Sequence, residues 1–109
     1  MVIAALKLTF AVSSDTSGHS TAKRIKDRLW SAFKVAVAEL PSSSHQEVLI
    51  GVSAVGNEEA PLRDRMDQLL VNLRDWGSVD LVDQELELLH YEDIELSEDY
   101  DKNLEKYNP

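Results

Sequence analysis

The sequence predicts an α+β fold in the order β-α-β-β-α-β, and three observations carry that prediction. Four stretches alternate apolar and polar residues with a period of two, two others repeat apolar residues every three or four positions, and turn or capping residues mark the joints. A chain of 109 residues is the size of one domain. At that length a single core buries roughly two thirds of the unfolded surface, enough to fold without disulfides or a structural metal.

The opening stretch, Val2 to Val12, places Ala4, Leu6, Leu8 and Phe10 on one face and Lys7 and Thr9 on the other, as a strand does. Turn and cap residues follow over 13–20. Ala22, Ile25, Leu29, Ala32 and Phe33 then give an amphipathic helix of about three turns. Lys23, Arg24, Lys26, Asp27 and Arg28 lie off its apolar stripe. Lys34 to Leu40 is a short strand entering the loop Pro41-Ser42-Ser43-Ser44, and Glu47 to Val55 is its β-branched partner. Gly51 in that partner marks a bulge or a close contact.

Asn57 is the expected N-cap of the second helix, with Glu58, Glu59 and Pro61 in positions that suit a helix start. Leu62, Met66, Leu69, Leu70, Leu73 and Trp76 form its buried stripe, and Gly77 stands where a stop is expected. The fourth strand, Val79 to Leu89, turns Val82, Leu86 and Leu88 one way and its acids the other. That order folds most simply as a ferredoxin-like four-stranded antiparallel sheet with two helices on one face.

Composition narrows the function. The absence of cysteine removes thiol catalysis and cysteine-ligated zinc. Apolar runs are only a few residues long, against about 20 for a membrane span, and the N-terminus lacks the basic start of a signal peptide. The expectation is a soluble cytoplasmic protein. Residues 1–79 carry nine basic and nine acidic side chains, so the whole net charge of -9 lies in 80–109. The reading is a ferredoxin-like domain over 1–91 and an acidic C-terminal tail over 92–109, mobile or loosely docked.

Asp15, Ser17 and His19 lie close together, with Ser20 beside the histidine. Catalytic triads draw their members from separate elements, so helix capping is the simpler role for these residues. An anion site at this helix start, with Lys23 and Arg24 one turn in, is the alternative; the spacing is not that of a P-loop. His45 and His90 read as surface histidines, and Asp83, Glu85 and Glu87 as a solvated strand face. Trp30 and Trp76 read as core or interface packing residues rather than base-stacking ones. No catalytic residue, metal ligand or cofactor is expected.

Three segments go beyond composition: Ile25 to Leu29, Phe33 to Leu40 with its V-A-E, and Leu49 to Asn57 with its V-G-N. In this order and spacing the chain resembles the bacterial YlxP-like family over about residues 1–90. The resemblance implies a ferredoxin-like fold, no known activity and no established catalytic residues. Its members are often encoded among translation and ribosome-maturation genes. Relatives carry a basic S-L-K-E-K-R-R type motif entering the first helix, whereas this chain reads Ser14-Asp15-Thr16-Ser17-Gly18-His19-Ser20 and turns basic only at Lys23.

The expected function is therefore a noncatalytic binding module, with ribosomal RNA or a ribosome-assembly protein as partner. Its candidate contacts are Lys23, Arg24, Lys26, Arg28 and Ser20, and alanine at the four basic positions is expected to leave the fold intact. The alternative is a self-associating protein-interaction or regulatory module without nucleic-acid contact. A homo-oligomer through the sheet face is expected in either case, because helices on one side leave the other side free to pair.

Overall fold

The computed structural model describes residues 1–12, 18–77 and 79–91. The tail assigned to 92–109 and the candidate caps Asp15 and Ser17 lie outside the described residues. The elements are β1 (Val2–Ala11), α1 (Gly18–Phe33), β2 (Ala36–Leu40), β3 (Glu47–Gly56), α2 (Glu59–Asp75) and β4 (Asp80–His90). The four strands form one antiparallel sheet in the order β2-β3-β1-β4, the ferredoxin-like arrangement.

β1 is a central strand, paired along its length with β3 on one edge and β4 on the other. Its even-numbered side chains, Val2, Ala4, Leu6, Leu8 and Phe10, are at most 2% exposed. They meet Val48, Ile50, Val52 and Ala54 from β3, Ile25 and Leu29 from α1, and Leu62, Met66, Leu69 and Leu73 from α2 in one core. Burying each large aliphatic or aromatic side chain contributes about 1.5–3 kcal/mol, so this layer is the main source of stability.

Several local features differ from the sequence expectation. β4 carries a register shift where Thr9 faces Asp83 and Phe10 faces Leu81, which skips Val82. Leu81, Leu86 and Leu88 therefore pack against the core, and Val82 is exposed instead of buried with them. Gly51 marks a close approach: a Cβ there would come within 3.3 Å of the Leu40 side chain. The N-cap of α2 is Glu58, not Asn57, and it makes no side-chain cap bond. α2 ends at Asp75 with Trp76 as its cap, whose N–H donates to the Leu73 carbonyl, and no glycine among the described residues has a positive φ, so Gly77 is not the left-handed stop expected.

The end of α1 is held by two contacts. Lys34 follows the helix with φ 54°, and its N–H donates to the Trp30 carbonyl at 3.0 Å. That left-handed cap position, commonly filled by glycine, shortens the second strand to Ala36–Leu40. Arg65 Nη2 on α2 donates to the Phe33 carbonyl at 2.6 Å, meeting one of the unpaired carbonyls at the negative end of α1. A left-handed conformation costs a residue with a Cβ about 1–2 kcal/mol. Lys34→Gly is expected to raise stability by about 1 kcal/mol in urea unfolding, and Lys34→Val to lower it.

Candidate functional site

The basic residues of α1 do not form one patch. A helix turns about 100° per residue, so Lys26 lies on the opposite flank from both Arg24 and Arg28, two positions away on either side. The Arg28 guanidinium sits 4.4 Å from the centroid of the Trp76 ring and that of Arg24 at 6.0 Å. Trp76 is half-buried against the core at the end of α2. These arginines join α1 to α2 through cation–π stacking, a role that the helical spacing of α1 alone does not reveal. Ser20 is exposed in the first turn of α1.

Lys23, Lys26 and Trp30 share the outer flank, at i, i+3 and i+7. Trp30 is 60% exposed, so of core and interface packing the structure excludes the core. The Lys34 ammonium, just beyond the helix, lies 6.0 Å from the Trp30 centroid. Among the described residues neither Lys23 nor Lys26 has a carboxylate within ion-pair distance. Trp30 and Lys34 are the members of this flank that sequence reasoning missed. The signal was available: Trp30 follows Leu29 directly, which turns it about 100° off the buried stripe.

The remaining candidates are scattered. His19 is 3.5 Å from Glu39 of β2, and His90 Nε2 is 3.0 Å from Glu59 Oε1 at the start of α2. His45 is exposed in the β2–β3 loop, where Ser44 N–H donates to Ser42 Oγ and Gln46 N–H to Ser44 Oγ. Among the described residues no three His, Asp or Glu side chains are grouped to hold a metal ion, and no helix is long and apolar enough to cross a membrane.

The second surface is the sheet face turned away from the helices. One row of register partners across it reads Ala38, Gly51, Lys7, Glu85, and the next Ala36, Ser53, Ala5, Glu87. In these two rows β2 and β3 carry only small residues, flanked by Leu40, and a shallow depression of about 740 Å³ lined from all four strands lies along them. Toward one end, Ile3 pairs with Val55 and Leu89, and Tyr91 N–H donates to the Met1 carbonyl at 2.8 Å. Met1, Val55, Leu89 and Tyr91 are all exposed there.

Fold and surfaces together define a small α+β domain with a lysine-flanked tryptophan on one helix and an open sheet face. The family described as proteins of unknown function, DUF503, matches residues 19–86, more than half of the chain, and the chain belongs to that family. No curated protein matches it.

The stacking on Trp76 separates the four basic residues of α1 energetically. Arg28→Ala is expected to lower stability by about 1 kcal/mol without unfolding the domain, whereas Lys23→Ala should stay within about 0.5 kcal/mol of the parent. Equal urea midpoints for the two variants would remove the stacking from the account.

Proposed function

We propose that the chain is a noncatalytic, cytoplasmic binding module, associated with the ribosome or with RNA maturation, that holds single-stranded RNA on the outer flank of α1. The observation that carries this reading is Trp30, 60% exposed on a helix flank with Lys23 and Lys26, and with Lys34 beside its ring. An indole face stacks an unpaired base, worth about 1–3 kcal/mol per base, while the lysines neutralise backbone phosphates. Arg24 and Arg28 contribute by holding α1 against α2, and Ser20 is a peripheral polar contact. The YlxP-like resemblance, with its translation-gene context, supports the same partner.

Binding of a labelled single-stranded oligoribonucleotide at low salt tests this. Trp30→Ala is expected to weaken it by about 10- to 100-fold, the equivalent of the stacking energy. Replacing Lys23 and Lys26 by Gln and Lys34 by Gly is expected to flatten the salt dependence by about 2 in slope, given about 0.7 per phosphate contact on a single strand. Absence of binding by the parent, or an unchanged slope in the triple variant, sinks the proposal. Deleting 92–109 removes seven acids and two lysines, taking the net charge from -9 to -4, and is expected to strengthen binding through weaker long-range repulsion.

A second reading, a self-associating interaction module with no nucleic-acid contact, is favoured by the exposed apolar strip of Met1, Val55, Leu89 and Tyr91. It predicts a homo-oligomer through the sheet face that ignores RNA at any salt concentration.

A further inference from the structure

We infer that the acidic segment 92–109 of this same chain occupies the outer flank of α1, laying the Tyr100 ring on Trp30 and its carboxylates on Lys23, Lys26 and Lys34, and thereby competes with RNA there. The inference deepens the RNA reading and rests on it for what the contact regulates; the contact itself is tested independently. Residues 92–101 hold six acids and no base. Within them Glu98-Asp99-Tyr100-Asp101 sets one aromatic ring between carboxylates. A single strand of RNA offers the same pattern, a flat base between anionic groups, so one surface suits both.

The flank supplies the complementary groups. Trp30 is well exposed, and the Lys34 ammonium lies 6.0 Å from its centroid. Among the described residues Lys23, Lys26 and Lys34 have no carboxylate within ion-pair distance, so their charges are open to an acidic occupant. Between Lys23 and Lys34 the only acid is Asp27, which leaves the lysines in excess. In 92–109 the balance is reversed, with seven acids against two lysines. Arg24 and Arg28 already stack on the Trp76 ring, so the lysines are the cations on offer.

Topology brings the two together. The register row Ala36, Ser53, Ala5, Glu87 crosses all four strands, and β2 and β4 run through it in opposite directions. Lys34 comes just before Ala36 and Tyr91 soon after Glu87, so both lie beyond the same end of the sheet. Three strand spacings of about 4.8 Å separate them across the sheet, and the helix layer stands about 10 Å above it. The gap from Tyr91 to the flank is therefore about 20–25 Å, whereas the nine residues from Tyr91 to Tyr100 reach about 30 Å when extended. A tether that just spans its gap supplies an effective concentration in the millimolar range, so a contact too weak to hold between separate molecules is populated within one.

The test follows the indole N–H resonance of Trp30 in the full chain, identified as the one missing from Trp30→Phe. Deleting 92–109 is expected to shift it, a synthetic peptide of residues 92–109 added in trans to bring it back toward the parent position, and salt at about 1 M to act on the parent as the deletion does. Tyr100→Ala separates contact from repulsion at a distance, because it leaves the net charge unchanged. It is expected to move the Trp30 resonance toward that of the truncated chain and to tighten binding of the labelled oligoribonucleotide at least twofold; an unmoved resonance and unchanged affinity remove Tyr100 from the site and overturn the inference. Coincident Trp30 resonances in the parent and the truncated chain also overturn it, with the RNA reading untouched. A resonance that shifts on deletion in a chain that binds no RNA, truncated or not, supports the contact and sinks the RNA reading.

Discussion

The register of β1 is the constraint on which the rest of the structure depends. This strand is hydrogen-bonded on both edges, and its five inward side chains are almost wholly buried. A slip by one residue would turn Ile3, Ala5, Lys7 and Thr9 toward the helices and expose the present core side chains. Burying the Lys7 ammonium among leucines without a partner would cost several kcal/mol. Lys7 therefore acts as a register lock, although it contributes nothing to the core. Both surfaces of interest follow from this choice, since it decides which side receives the helices and which small residues are left uncovered.

The pairing of Arg24 and Arg28 with Trp76 shows how one helix divides its charges between two tasks. The flank of α1 turned toward α2 uses guanidinium groups, which are planar, weakly hydrated and suited to stacking on a half-buried ring. The flank turned away uses lysines, strongly hydrated point charges that remain in water. Arg65 reinforces the arrangement by reaching from α2 to the last carbonyl of α1, so the helices are tied at both ends by arginine. With α1 fixed in this way, Trp30 is held outward on a rigid element.

Most of the fold was legible because the alternation in β1 and β3 and the stripe from Leu62 to Leu73 are long enough to specify their own period. What was not legible depends on neighbours distant in sequence. The displacement of Val82 arises from a ladder irregularity opposite Thr9 and Phe10, which no pattern within β4 announces. The left-handed Lys34 occupies a position where composition suggests a strand. The candidate site was legible only as a cluster of charge: the basic segment was visible, but its division into two flanks required knowing where α2 ends. Trp76 and Trp30 have the same composition and opposite roles, decided by whether each falls on its own helix's buried stripe.

The hydrogen bond between Tyr91 and Met1 means that the first and last strands finish side by side, with β4 completing the outer edge of β1. In a chain synthesised from its N-terminus, β1 emerges before the other three strands and yet lacks one of its two hydrogen-bonding partners until β4 is made. Its unpaired edge is thus presented throughout the synthesis of everything between. The same closeness makes a circular permutant geometrically feasible. A short linker joining the strand ends, with new termini opened in the β2–β3 loop, would make β1 and β4 consecutive and replace the longest-range pairing of the fold with a local one.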